Sequence, residues 1–353
     1  MTILFAILLF SLLIFVHELG HFVAAKLSGV QVNEFSIFMG PAIFKKQVGE
    51  TLYALRCIPF GGYCAMEGED EESDNPRAFG AAAWWKRLII LVAGAAMNFI
   101  AGIVLLAIFF APYETLPVPQ IVSHVEESLI FDAGELQIGD RIMEIDGEKI
   151  YIAGDVSMLL QLNGADHHDL LILRDGQEIF FDDFYMEPYL TQTNEDGTVS
   201  KTYGFSFGYE DAGLANRLDY IWNTAKDYVR MVRLSLAMLL NGQAGLKDMS
   251  GPVGIVQQMS ESAEAAGSAV KAIRTIVNFG ALIAINLAVM NLLPIPALDG
   301  GRAVCLLITT AVEKVTKKKI DPKYEAYLHG AGMILLLGLM AVITFKDVFA
   351  IFK

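Results

Sequence analysis

His17-Glu18-Leu19-Gly20-His21 sets two imidazoles four residues apart with a carboxylate beside the first. On an α-helix, residues i and i+4 share a face, so His17 and His21 can grip one Zn²⁺ while Glu18 stands beside it as a base. A catalytic zinc also wants a third protein ligand and an open position for water. Asp299 offers that ligand, in Asn291-Leu292-Leu293-Pro294-Ile295-Pro296-Ala297-Leu298-Asp299-Gly300-Gly301. The alternative for Asp299 is a loop-end carboxylate paired with Arg302, and the alternative for Asn291 is a plain helix–helix hydrogen-bond partner. His124, His167, His168 and His329 have no comparable setting and read as surface or packing residues.

The elements that must position these groups are apolar. The chain has 353 residues, 54% hydrophobic and 19% charged, richer in apolar side chains than globular domains. Four stretches, 1–25, 88–113, 275–298 and 326–345, are long enough to span a bilayer, which needs about 20 apolar residues. The run 1–16 has no basic flank and leads straight into His17, so it is read as a retained span and not as a cleaved signal. A Glu and two His inside hydrocarbon are expensive unless they are paired or face a polar cavity, which favours function over packing. Pro294 and Pro296 should break the third span where Gly300 and Gly301 loosen it, and irregular backbone at membrane depth is tolerated around a cavity. The first and third spans descend in the same direction with their reactive residues late in each, so the two sets are expected to meet near the cytoplasmic side.

Charge divides the chain. Of its 40 Asp and Glu, 21 fall between residues 112 and 213, with only 4 of the 26 Lys and Arg, so an acidic block is inserted into a near-neutral membrane body. No basic groove exists for a phosphate backbone, which excludes nucleic acid as a partner. Lys26, Lys45, Lys46 and Arg56 follow the first span, Lys86 and Arg87 precede the second, and Lys314, Lys317, Lys318, Lys319 and Lys323 lie between the third and fourth. These loops are expected on the cytoplasmic side, with both termini and the acidic block outside. Residues 214–274 resist this rule, carrying Arg217, Lys226, Arg230, Arg233, Lys247, Lys271 and Arg274, and Leu214–Leu240 reads as an amphipathic helix lying in the interface. Cys57, Cys64 and Cys305 are too few and too badly spaced for a disulfide framework and read as reduced thiols.

Two regions read as β-structure. Residues 30–63 alternate β-formers with Gly and Pro, giving short strands and turns beside the first span. The acidic block carries strand-like runs at 119–125, 141–145, 170–173 and 178–181, turn signals Asp146-Gly147 and Asp175-Gly176, and one helical stretch at 154–162. The expected fold is a polytopic α-helical membrane protein of about four transmembrane helices, with a small membrane-associated β-sheet and an inserted β-rich domain. Its parts are 1–111, the inserted domain 115–210, interfacial helices 211–274, and the C-terminal membrane part 275–353.

With HExxH in the first span and NxxPxPxLDGG in the third, the chain resembles the site-2 protease family, specifically the bacterial regulator-of-sigma-E protease type, over nearly its whole length. Phe35-Ser36-Ile37 and Gly40-Pro41 resemble the family's membrane-associated β-hairpin, Pro59 to Tyr63 its Gly-Gly-Tyr turn, and Ala93-Gly94 with Asn98-Phe99 its second-span motif. Ser250-Gly251-Pro252-Val253 resembles the stretch before the third span. The departures are Phe38 and Met39, where Gly and Phe are usual, Ala95 for a usual Pro, and room for one PDZ domain only. That domain is suggested by Ala133-Gly134-Glu135-Leu136, Gly139-Asp140-Arg141-Ile142 and Ile145-Asp146-Gly147.

The resemblance implies an intramembrane zinc metalloendopeptidase of the bacterial cytoplasmic membrane, with the PDZ domain extracytoplasmic. Zn²⁺ sits on His17, His21 and Asp299, Glu18 moves the proton, and Asn291 orients substrate or helps hold the oxyanion. Substrates are membrane proteins with a single span, such as anti-sigma factors or remnant signal peptides, already shortened by an upstream site-1 protease. A helical substrate hides its peptide bonds, so it should unwind and pair as a strand with Phe35, Ser36, Ile37, Phe38, Met39 and Gly40. The PDZ domain is a size filter or a dock. Two other classes fit part of the pattern, a membrane metal-binding or transport protein and an inactive PDZ scaffold; neither explains Glu18 in the base position.

Overall fold

The computed structural model describes residues 2–69, 73–125, 135–162, 165–186, 188–193, 199–245, 247–317 and 323–351. It divides into two compact units, Met1–Phe109 with Tyr228–Lys353, and Phe110–Asp227.

The first unit opens with α1 (Thr2–Ser28), a helix apolar around its circumference apart from a few residues that include His17, Glu18 and His21, as suits a membrane span. Two long strands follow, β1 (Val32–Val48) and β2 (Thr51–Met66), joined by the two-residue turn Gly49-Glu50. Their register is not that of one hairpin. Glu34–Ile37 face Ala65–Gly62 in antiparallel sense, yet also face Leu52–Leu55 with both numberings rising together. Ala42–Val48 meanwhile face Arg56–Thr51. Each strand therefore bends, at Phe38–Gly40 and near Gly61, where φ turns positive, and supplies two segments that lie side by side. The expected short strands are real, but they join into this one sheet. Arg56 ties three of the segments together, donating to Glu34 Oε1 at 2.5 Å, Tyr63 Oη at 2.6 Å, the Gly40 carbonyl at 2.6 Å and Ser36 Oγ at 3.1 Å. The sheet packs on α1 through Phe35, whose ring lies 4.8 Å from that of Phe22 and 5.9 Å from that of Phe15. Helix α2 (Trp84–Phe110) completes this part.

The second unit is β-rich, as the turn signals predict. β3 (Thr115–His124), β4 (Arg141–Ile145), β5 (Glu148–Lys149), β6 (His167–Arg174), β7 (Gln177–Tyr185) and β10 (Phe205–Asp211) form one sheet in the order β10-β3-β4-β6-β7, with β5 on β4. Helix α3 (Ala153–Leu162) buries Val156, Leu159 and Leu160, and its Asp155 accepts from the Tyr151 and Ile152 amides. A separate ribbon pairs β8 (Leu190–Thr193) with β9 (Val199–Thr202). β5, β8, β9 and β10 are strands beyond the four runs expected from the sequence. Of the PDZ-like runs, Ala133 and Gly134 lie outside the described residues. Asp140 is fully buried against Arg174, at 2.7 Å, and His168 is buried with Nδ1 2.8 Å from Asp146.

Helix α4 (Leu214–Leu240) has the bounds expected of it and is two-faced, burying Ile221, Ala225, Tyr228 and Val232 while exposing Leu214, Leu218 and Trp222. After α5 (Pro252–Ala265), helix α6 (Ala269–Asn291) begins six residues earlier than the expected third span and stops well short of residue 298. Pro294 and Pro296 lack amide donors, and Ala297 has φ of 78°, so the chain from 292 to 298 cannot continue the helix. Helix α7 (Asp299–Thr316) then starts at Asp299 itself. Gly300 and Gly301 do not loosen the chain; they sit buried in the first turn of α7, where a Cβ on either would run into the backbone of Leu292, Leu293 or Ile295. Helix α8 (Lys323–Ile351) is the last. Among the described residues, α1, α2, α6 and α8 are the four helices long and apolar enough to cross a membrane.

Candidate metal centre

His17 and His21 stand one turn apart on α1, and the break after α6 turns Asp299 toward them. His17 Nε2 lies 3.1 Å and His21 Nε2 3.3 Å from Asp299 Oδ2, with 3.2 Å between the two nitrogens. The three atoms form a nearly equilateral triangle. A tetrahedral Zn²⁺ at about 2.0–2.1 Å from each ligand keeps its ligand atoms roughly 3.3–3.4 Å apart, so the spacing fits that ion. Asp299 Oδ2 is buried with no hydrogen bond among the described residues, as befits an atom reserved for a cation. The alternative pairing for Asp299 is not the one seen, since Arg302 reaches Glu69 Oε1 at 2.5 Å. Among the described residues this is the one group of His, Cys, Asp and Glu arranged to hold a metal.

Helix α2 seats the imidazoles. The Ile90 carbonyl lies 2.8 Å from His21 Nδ1, and a carbonyl only accepts, so Nδ1 carries the proton and Nε2 keeps its lone pair for the ion. One turn on, Gly94 lies so close that a Cβ would strike His21 Nε2 and come 2.7 Å from His17 Cε1. On α1, Gly20 likewise meets the Ala93 carbonyl. Small residues on both helices thus bring the two backbones together, as membrane helices often do.

Glu18 is half-buried and makes no hydrogen bond or ion pair among the described residues. The sheet approaches it at Gly62, where a Cβ would lie 3.5 Å from Glu18 Cγ. Asn291 closes α6 without a hydrogen bond to the His17, Glu18, His21 and Asp299 group. The strand expected to receive substrate is placed differently. Phe35, Ser36 and Ile37 have β2 on both sides, and Phe38, Met39 and Gly40 form the bend. The segments Gly61 to Met66 and Ala42 to Val48 each have a strand on one side and none on the other among the described residues, and of these two open edges the first lies next to Glu18.

His329, expected to be a surface or packing residue, packs against the break after α6. From α8 its Nδ1 accepts the Ala297 amide at 2.9 Å, two residues before Asp299, and Gly332 packs on Pro296. The spacing of His329 and Gly332 on one face of a helix was the available signal.

The model of peptidase family M50 matches residues 5–339 of the chain. A Clostridium perfringens protein named as a zinc metalloprotease is 37% identical over 350 residues, 99% of this chain and 98% of its own. One from Fusobacterium nucleatum, named likewise, is 34% identical over the full length of both. The regulator of sigma-W protease RasP of Bacillus subtilis is 26% identical over 99% of each chain. The chain belongs to peptidase family M50, the site-2 proteases. It is a membrane zinc metalloprotease, with Zn²⁺ as its cofactor.

Proposed function

We propose that the chain hydrolyses peptide bonds within or beside the transmembrane helix of single-span membrane proteins, with His17, His21 and Asp299 holding the zinc and Glu18 as general base. The observation that carries this reading is the triangle of Nε2, Nε2 and Oδ2 atoms with edges of 3.1–3.3 Å, assembled between apolar helices beside an unengaged carboxylate. A zinc ion held by His17, His21 and Asp299 would supply Lewis-acid chemistry, polarising the scissile carbonyl and acidifying a water. Glu18 takes the proton from the attacking water and passes it to the leaving nitrogen. Asn291, at the end of α6, donates to the substrate backbone or the developing oxyanion in a site where water competes poorly.

The substrate must surrender its helix before a peptide bond can be reached. Its unwound segment pairs with the open edge at Gly61 to Met66, exchanging helical hydrogen bonds for intermolecular ones beside Glu18. The name of RasP ties that relative to sigma-W, which makes a sigma-factor regulator one candidate substrate class here; remnant signal peptides are another. The protein works in the bacterial cytoplasmic membrane with the acidic, PDZ-like unit outside, receiving substrates that an upstream protease has shortened.

The test uses detergent-solubilised protein and a single-span substrate, comparing wild type, Glu18→Gln and wild type with a zinc chelator, with zinc content measured alongside. Cleavage lost in both treatments, with zinc retained by Glu18→Gln, is the expected result. Unimpaired cleavage by Glu18→Gln removes the base, and zinc bound without cleavage of any substrate favours a metal-transport or scaffold role.

A further inference from the structure

Between Leu88 and Phe110, α2 carries a single polar side chain, Asn98. It is 1% exposed, and its Oδ1 is buried with no hydrogen-bond partner among the described residues. Its Nδ2 lies 3.4 Å from Nδ1 of His17. Resting on the metal-site reading above, this contact has a chemical consequence. If Nε2 of His17 gives its lone pair to zinc, the proton sits on Nδ1, and Nδ1–H cannot bond to an amide NH₂ that also donates. Turning the carboxamide by half a turn about its last torsion exchanges Nδ2 and Oδ1, groups of nearly equal size. The turn gives Nδ1–H an acceptor and gives the orphaned Oδ1 its donor at once.

We propose that Asn98 is the positioning residue for His17, accepting its Nδ1–H through Oδ1 and so fixing the tautomer and ring angle that aim Nε2 at the metal. The helix geometry supports this. Residues 90, 94 and 98 recur at i, i+4 and i+8 on one face of α2, and that face meets the imidazoles in order: the Ile90 carbonyl holds His21, Gly94 lets the backbones close, and Asn98 reaches His17. The two histidines are thereby oriented by the same helix through unlike acceptors, one main-chain and one side-chain. Outer partners of ligating histidines usually take this form, and losing one weakens metal affinity by about 10–100-fold.

The experiment measures the zinc dissociation constant of the purified full-length protein by competition with a chromogenic chelator, for wild type, Asn98→Leu, Asn98→Asp and His17→Ala. Asn98→Leu should weaken zinc by about 10–100-fold, whereas Asn98→Asp, which keeps an acceptor, should hold zinc at least as tightly as wild type. Packing alone cannot produce that contrast. Should Asn98→Leu fail to fold, Asn98→Ala supplies the same deletion without the bulk. Wild-type affinity in Asn98→Leu with loss in His17→Ala overturns the role of Asn98 and leaves the metal site standing, as does equal weakening in Asn98→Leu and Asn98→Asp. Wild-type affinity in His17→Ala overturns the metal-site reading itself, and this inference with it.

Discussion

Glu18 and its neighbours make separable demands on single side chains. As the proposed base and not a ligand, Glu18 gives a first prediction: Glu18→Gln should lose about 10²–10⁴-fold in turnover while retaining zinc, checked by metal content beside a cleavage assay. With Asp299 as the proposed third ligand, Asp299→Ala should lose both together. Gly94 is the sharper case. Any side chain there would occupy the space of the imidazole atoms, so Gly94→Ala should abolish zinc binding although one methyl group in an apolar helix costs nothing in insertion. Retained zinc in Gly94→Ala would show that α2 can back away from α1. These residues were legible in part: HExxH and Asp299 announce themselves by chemistry and spacing, whereas Gly94 and Asn98 show in the sequence only as a motif resemblance, and what each does follows once α2 is laid against α1.

At the scale of elements, the break after α6 turns Asp299 toward the histidines, and the sheet is the proposed seat of the substrate. With Ala65→Cys as the sole cysteine in a Glu18→Gln background, disulfide trapping against cysteines walked through a substrate should favour every second position, the period of a strand; a period of three to four would mean the substrate is still helical. His329 holds the chain just ahead of Asp299. His329→Leu leaves the Ala297 amide without its acceptor, a loss of about 1–3 kcal/mol, and should lower the melting temperature, whereas His329→Gln, which can accept, should restore most of it. At the hairpin turn, hydrogen bonds from Arg77 and Lys26 hold the Glu50 carboxyl down at about 2. A depressed carboxylate stabilises fully above its unfolded pKa of about 4.3 and loses that contribution as pH falls toward 2. Arg77→Gln should flatten the melting temperature across that window. The spans, α3, α4 and the proline break follow from composition and period, because each is dictated by its own residues. The strand order is not: whether Ile37 is an edge or an interior position depends on which segment folds against it, and no alternation of side chains records that. α7 was missed for a related reason, since Gly300 and Gly301 read as breakers until the backbone they must clear is in view.

Across the whole molecule, the acidic unit is an insertion between α2 and the later helices. Removing 119–207 separates its two possible uses, because a size filter predicts that intact substrates become cleavable and a dock predicts that shortened ones cease to be. Its acidity is uneven with the body, and raising ionic strength should alter a docked substrate's affinity more than a filtered one's, since exposed charges act over about 8–10 Å at moderate salt. One feature of the metal centre reaches into the life of the chain before it is complete. The two proposed histidine ligands are in α1 and the proposed third ligand, Asp299, is 278 residues after His21, beyond the last proline of the break. While the ribosome is still upstream of codon 299, the growing polypeptide carries both histidines and Glu18 but lacks Asp299, so under the proposed ligand set the cutting centre stays unfinished. Under that ligand set, translation order acts as a safety catch, released only once the chain beyond the third span, where α7 begins, has been made.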